Sequence, residues 1–204
     1  MWLAFVLAAE VLLIIPGPTN ILVISQSLAH GRRAVLPLTA GVTLGDFAAM
    51  SLSFLGLGAV LASSSAAFTV LKWIGAVYLV FLGLRLWLSK PETGGISTPG
   101  RRTSSLSLFR SALMVTAMNP KSIAFFVAFL PQFISIQNHA FPQFLLLGST
   151  FLMLAALNAT LYGVFAGRLR DAMQNPKVRR CFDLCGGTAL IVAGVATASV
   201  QRSS

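Results

Sequence analysis

The sequence predicts an all-α membrane protein with six transmembrane helices. Hydrophobic residues make up 56% of the 204 positions and charged residues only 10%, whereas soluble domains carry about 25% charged residues. The apolar residues form six stretches, and a bilayer-spanning helix needs about 20 of them. The stretches cover 2–29, 35–61, 66–89, 111–134, 141–167 and 181–200.

The six stretches differ in continuity. The first is interrupted after Ile15 by proline and glycine, and the fourth is interrupted at Asn119-Pro120. Each is the first stretch of its half of the chain. A proline inside a helix removes a backbone hydrogen bond and clashes with the preceding turn. We therefore expect the first and fourth helices to be broken.

The basic residues indicate how the helices cross the membrane. Lys and Arg number 15 against five Asp and Glu, which gives a net charge of +10. Twelve of the 15 lie in or beside the gaps after the first, third and fifth stretches. Loops rich in Lys and Arg stay in the cytoplasm, so both chain termini should face the periplasm or the exterior. Because the charge is spread over loops between apolar runs, we expect lipid headgroups as its partners and no nucleic acid.

The chain divides into two halves of three helices. Residues 1–88 form the first half, residues 89–110 a flexible basic cytoplasmic linker rich in Gly, Pro, Ser and Thr, and residues 111–204 the second half. Since three crossings reverse the side of the membrane, the second half must be inverted relative to the first. An inverted repeat with a broken first helix in each half is typical of secondary transporters.

The two breaks predict a substrate-binding site. Their residues are Pro16, Gly17, Pro18, Thr19 and Asn20 in the first, and Asn119, Pro120 and Lys121 in the second. Asn119 suits an N-cap, and both breaks should start a half-helix whose N-terminus carries about half a positive charge. Two such N-termini and the charge of Lys121 would suit a carboxylate. The alternative is that the prolines only shape helix packing.

Further polar residues should lie at the same depth as the breaks. At 1.5 Å per residue, Asp46 and Asn158 lie about 14–16 Å from the cytoplasmic helix ends, close to the depth of Thr19 and Pro120. Charges inside a membrane usually serve function, so we predict that Asn158 contacts substrate and that Asp46, and with it Glu10, couples transport to protons. A structural ion pair of Asp46 with Lys121 is the alternative.

Small residues predict where helices approach closely. Gly41 and Gly45 form a GxxxG pattern in the second stretch, and such faces let two helices pack backbone to backbone. The pattern allows packing within one protomer or between protomers, so a homo-oligomer is one of the expected arrangements.

The same residues resemble a known family. Pro16-Gly17-Pro18, Gly31, Gly41, Gly45 and Asp46 resemble the first signature of the lysine exporter family, including its homoserine/threonine-resistance (LysE/RhtB) branch. Asn119-Pro120-Lys121, Phe125-Phe126 and Pro131-Gln132-Phe133 resemble its second signature. The resemblance implies a bacterial inner-membrane exporter of amino acids or similar metabolites, driven by proton motive force or antiport. Glu10 is not part of the family pattern.

The sequence therefore predicts a secondary transporter that exports a small zwitterionic metabolite. Its carboxylate would lie near Thr19, Asn119 and Lys121, and its ammonium would face Asp46 or freed carbonyls. We expect no cofactor, no bound metal and no enzymatic activity. A metal-ion exporter would need several acids, His or Cys at mid-membrane, and a membrane-embedded enzyme would need a nucleophile, base or metal cluster; the sequence favours neither.

Overall fold

The computed structural model describes residues 2–15, 17–63, 65–88, 103–134, 139–169 and 175–199, and every regular element in these ranges is helical. The predicted all-α class is thereby confirmed. The α-helices are α1 (Trp2–Ile14), α2 (Pro18–His30), α3 (Val35–Ser63), α4 (Ser65–Leu88), α5 (Ser105–Ala117), α6 (Pro120–Ala124), α7 (Ala140–Val164) and α8 (Pro176–Ser199). Residues 89–102, which form most of the predicted linker, lie outside the described residues.

Both predicted breaks separate two helices. The first lies between α1 and α2, and Gly17 forms the N-cap of α2 in an extended conformation. The second lies between α5 and α6, and Asn119 forms the N-cap of α6. The axes of Ser105–Ala117 and Pro120–Phe133 differ by 42°. The prediction that the first and fourth stretches are broken is confirmed in the described residues.

Two short segments depart from regular α-helix. After α6, Phe125–Phe129 forms a π-helical turn and Leu130–Phe133 a 3₁₀ turn. Pro131 has no N–H to donate, so the regular i→i−4 pattern cannot continue through this segment. Gly31 follows α2 at φ 68°, a conformation that glycine adopts without the steric cost of a Cβ. It leads into the 3₁₀ turn Gly31–Ala34, which joins α2 to α3.

α5 begins earlier than its apolar stretch. It starts at Ser105, where the sequence predicts the fourth stretch from 111. The Ser104 side chain accepts a hydrogen bond from the backbone N–H of Ser107 at 3.2 Å. Such a cap satisfies one of the free donors of the first turn, so the helix extends into a polar segment that hydropathy alone does not assign to it.

The described residues contain clear membrane-spanning candidates. Pro18–Gly56 and Phe141–Val164 are long and apolar enough to cross a bilayer, and the bent pair Ser105–Ala117 with Pro120–Phe133 makes a third if taken as one span. Large apolar side chains such as Leu36, Leu88 and Met153 are 74–79% exposed, as expected where a helix faces lipid. The six-span inverted repeat stays a prediction.

Glycines bring helices into close contact, as the GxxxG pattern predicts. A Cβ on Gly41 would lie 2.4 Å from the Phe109 carbonyl oxygen, and one on Gly45 would lie 2.8 Å from that of Leu113. α3 and α5 therefore pack backbone to backbone. Gly83 on α4 and Gly194 on α8 make equally close contacts between those two helices. These contacts lie within one chain.

The core consists of two apolar clusters separated by a polar layer. The larger cluster includes Phe5, Ala49, Phe126 and Phe151, and the smaller includes Val23, Leu38 and Ala112. On α3, Asp46 lies between Val42 of the smaller cluster and Ala49 of the larger. On α7, Asn158 lies between Ala155 of the larger cluster and Ala159 of the smaller. Apolar side chains thus pack on both sides of the polar layer.

Candidate substrate site

The end of α1 is held by side chains from three other elements. The last carbonyls of a helix have no intrahelical donor, and within a membrane they need another partner. Lys121 Nζ donates to the carbonyl oxygens of Leu12 and Ile15, both at 2.8 Å. Asn20 Nδ2 donates to Leu13 O at 2.9 Å and to Ile15 O at 3.2 Å.

Tyr162 on α7 completes this set. Its hydroxyl donates to the carbonyl oxygen of Ile14 at 2.9 Å. The four carbonyls from Leu12 to Ile15 are therefore all hydrogen-bonded, by donors from α2, α6 and α7. The first break is an interface at which these elements meet. Tyr162 was not predicted as a site residue, although it lies four residues after Asn158 and so on the same face of α7.

The second break is held mainly by its own residues. The Asn119 side-chain oxygen accepts from the backbone N–H of Lys121 at 3.1 Å, as predicted for an N-cap. The Met118 N–H bonds to Met114 O at 3.1 Å, and the Asn119 N–H bonds to Thr116 O at 3.0 Å. These local bonds stabilise the short turn in which α5 ends and α6 begins.

The two breaks touch each other. Asn119 Nδ2 donates to Thr19 Oγ1 at 3.2 Å. Thr19 Oγ1 also lies 3.3 Å from Thr116 Oγ1, and all three side chains are buried. A direct polar link thus joins the N-terminus of α2 to the junction of α5 and α6.

Asp46 faces this junction from α3. It is 2% exposed, and its neighbours include the Ser122 side chain and the charge of Lys121. Its Oδ1 atom is buried and has no hydrogen-bond partner among the described residues. A buried carboxylate oxygen without a partner is costly, so this atom calls for a proton or a cationic ligand.

A small cavity lies between the breaks, with a volume of about 20 Å³. Its walls include Thr19, Asn20, Asp46, Thr116, Asn119, Lys121, Ser122 and Asn158, with Leu12, Leu13, Val23, Val42, Ala155 and Ala159 as the apolar part. This volume holds about one water molecule, and small-molecule sites usually measure about 300–1,000 Å³. The cavity is therefore too small for an amino acid in this structure.

Glu10 does not line this cavity, but it touches a residue that does. Asn158 Nδ2 lies 2.9 Å from Glu10 Oε1 and 3.1 Å from Glu10 Oε2, and it also bonds to Leu154 O at 3.0 Å. Glu10 is half-buried on α1. Its direct role in the described structure is to hold the amide of Asn158.

The structure brings most of the predicted site residues together. Thr19, Asn20, Asp46, Asn119, Lys121 and Asn158 all line the cavity. Gly17, Pro18 and Pro120 belong to the breaks as backbone elements, and Pro16 lies outside the described residues. Thr116 and Ser122 also line the cavity but were not predicted, because hydroxyl side chains are common in membrane helices without any role in a site. The described residues contain no group of three or more His, Cys, Asp or Glu that could hold a metal ion.

Comparison with known proteins identifies the family. The family model "LysE type translocator" matches residues 11–200. An uncharacterized membrane protein of Vibrio cholerae is 35% identical over 202 residues, covering 98% of each chain. The homoserine/homoserine lactone efflux protein of Salmonella typhimurium is 32% identical over 202 residues, covering 99% of this chain and 98% of the relative.

A further relative is matched over a shorter range. The leucine efflux protein of Klebsiella pneumoniae is 32% identical over 136 residues, covering 66% of this chain and 64% of the relative. No solved structure is significantly similar to the chain. The family model covers both breaks and the cavity, and the resemblance seen in the sequence is thereby confirmed: the chain belongs to the LysE type translocator family.

Proposed function

We propose that this protein exports an amino acid, or a closely related small metabolite, across the bacterial inner membrane in exchange for protons. The observation that carries the proposal is a carboxylate oxygen of Asp46 that has no partner in the part of the chain that the structure describes, at a cavity between two broken helices. Relatives named for efflux of homoserine, homoserine lactone and leucine support this substrate class.

The cavity offers both kinds of contact that a zwitterion needs. Asp46 supplies an acceptor for the ammonium group. Thr19 and Asn119 lie at the start of α2 and α6, where backbone N–H groups without intrahelical partners favour a carboxylate. Such a substrate would enter only after the walls separate, because the present cavity is too small for it.

Asp46 is the residue we assign to proton coupling. A carboxylate that binds either a proton or the substrate, but not both, exchanges one for the other. Lys121 is the nearby basic group in this arrangement, and Glu10 lies behind Asn158 and supports the cavity wall. In this scheme a proton enters from the outer side as the amino acid leaves.

The orientation follows from the basic loops. We propose six spans in two inverted halves, with both termini on the periplasmic side. Labelling of single cysteines near the termini with a membrane-impermeant reagent in intact cells tests this, because periplasmic termini would react and cytoplasmic termini would not. Association of several copies stays a prediction.

The function is tested with purified protein in liposomes loaded with radiolabelled amino acids, homoserine and leucine first. An inward proton gradient should accelerate efflux by the wild-type protein, Asp46→Asn should abolish this acceleration, and Asp46→Glu should retain part of it. Asp183→Asn is the matched control, since Asp183 is a buried acid on α8 outside the cavity. Unchanged pH-driven flux in Asp46→Asn would contradict the coupling role.

A further inference from the structure

The cavity has two places where a positively charged group can bind. One is the pair of carbonyl oxygens of Leu12 and Ile15, which Lys121 Nζ occupies at 2.8 Å from each. The other is Oδ1 of Asp46, which has no hydrogen-bond partner among the described residues. Of these two acceptor positions, the ammonium of Lys121 fills one.

Most amide N–H donors around the cavity, by contrast, are already hydrogen-bonded. Asn20 Nδ2 is bonded to the end of α1, Asn119 Nδ2 to Thr19, and Asn158 Nδ2 to Glu10. For a ligand carboxylate the cavity keeps the third N–H of Lys121 Nζ and the second N–H of Asn119 Nδ2, and any further amide donor would have to give up one of these contacts. A ligand ammonium would instead meet Asp46 Oδ1, which has no hydrogen-bond partner among the described residues, once the walls move enough to expose this buried atom.

We propose that the cavity is a two-position ammonium site, in which Lys121 fills one position and the ammonium group of the substrate fills the other. The inference rests on the proposed export function and specifies its substrate class. The essential feature of a substrate is a free primary ammonium group, and a free carboxylate is dispensable. Amino acids, their amides and their lactones all satisfy this requirement, whereas N-acylated amino acids do not.

Size and reach agree with this assignment. An ammonium group is about as large as a water molecule, so the cavity of about 20 Å³ matches the charged end of a substrate and must open for the rest of it. Lys121 carries three N–H donors, of which two are used on the carbonyls of α1. These two bonds keep Lys121 on its own position, so the substrate ammonium and the lysine need not share Asp46.

The decisive test uses the wild-type protein. Purified protein in detergent is titrated with L-leucine, L-leucinamide and N-acetyl-L-leucine, and in parallel with L-homoserine, L-homoserine lactone and N-acetyl-L-homoserine. We expect the ammonium-bearing ligands to bind within about tenfold of the parent, and the N-acetyl compounds to bind at least about 100-fold more weakly, because they leave a buried acceptor unpaired.

The possible results separate the two proposals. N-acetyl compounds that bind as tightly as the parent, with weak binding of amide and lactone, would overturn the two-position ammonium site and leave amino-acid export intact. Failure of every amino acid in a full panel to bind or to be transported would overturn the proposed function itself.

Chemical rescue tests the position that Lys121 fills. Lys121→Ala should lose most transport, and added ethylammonium should restore part of it by occupying the carbonyl pair of α1. Ethanol at the same concentration is the uncharged control. Equal rescue by both compounds would show that only volume is needed and would overturn the assignment of this position to a cation.

Discussion

The two breaks lie against each other but are stabilised in different ways. At the first, the carbonyls of α1 are satisfied by Lys121, Asn20 and Tyr162, two of which are more than 100 residues distant in sequence. At the second, Asn119 caps α6 with its own side chain and nearby backbone groups close α5. The first break therefore depends on how the surrounding helices are arranged, and the second depends on this much less, since its long-range contacts are those with Thr19.

This difference indicates which break changes during transport. Hydrogen bonds between distant elements are lost when those elements separate, whereas a local cap moves with its helix. We therefore expect α1 to exchange partners as the cavity opens and the junction of α5 and α6 to keep its shape. Substitutions at the two breaks should accordingly affect transport and stability in different proportions.

The largest effect should come from Lys121→Met. The substitution leaves Leu12 O without this donor, leaves Ile15 O with Asn20 alone, and removes the positive charge near Asp46. Losing one partner of buried charged groups costs about 3–5 kcal/mol. We expect net efflux in liposomes to fall by at least about 100-fold and thermal stability in detergent to fall with it. Lys121→Arg should retain part of both. Wild-type efflux in Lys121→Met would show that the first break does not need this donor.

Tyr162→Phe should have the next largest effect. It removes the donor to Ile14 O while keeping the ring, and an acceptor left unsatisfied within a membrane is costly because no water replaces the lost donor. We expect a lower thermal midpoint and slower efflux. Tyr78→Phe is the matched control, because Tyr78 is the other tyrosine of the chain and packs its ring against Phe81. Equal effects of the two substitutions would show that the Tyr162 hydroxyl does not stabilise the first break.

Asn119→Ala should act mainly on stability. It removes the cap of α6, which costs about 1 kcal/mol, together with the contact to Thr19. Asn119→Asp keeps an acceptor for the Lys121 N–H and should recover most of the lost stability, as measured by thermal unfolding. If Asn119→Ala slowed efflux far more than Tyr162→Phe at equal stability, the second break would be the moving one and the comparison would be reversed.

The smallest effect is expected from Gly17→Ser. Gly17 is already the N-cap of α2 in an extended conformation, which serine adopts readily. A serine hydroxyl there would cap α2 and raise stability by a few tenths of a kcal/mol, roughly the difference between glycine and serine caps. The new Cβ would lie 3.4 Å from Lys121 Nζ, an ordinary contact distance, so efflux should change little. A large loss of stability would show that the glycine is needed for its conformation.

Local features were predictable from the sequence, and long-range ones were not. Pro18, Asn119 and Pro120 mark the helix starts because capping and the missing proline N–H act within a few residues. Gly41 and Gly45 predicted a close contact, since a GxxxG face needs only one helix to be recognised. The position of Asp46 at the cavity followed from its depth in the membrane.

The bonds of Lys121 could not be predicted in the same way. The sequence placed its charge beside an anion, and in the structure the ammonium is directed at two carbonyls of α1. Leu12 and Ile15 lie 109 and 106 residues before Lys121 in the sequence, so this pairing depends on how α1 and α6 pack together. Tyr162 and the Glu10–Asn158 contact are long-range for the same reason.

The central claim is that the two breaks meet at one cavity, and cross-linking tests it most directly. Thr19 Oγ1 and Thr116 Oγ1 lie 3.3 Å apart, so cysteines at both positions, with Cys181 and Cys185 replaced by serine, should form a disulfide or react with a short bifunctional thiol reagent in native membranes. We expect the cross-link to appear and to stop efflux, with full recovery on reduction, while each single-cysteine variant does neither. Absence of a cross-link in a double-cysteine variant that still transports would contradict the account.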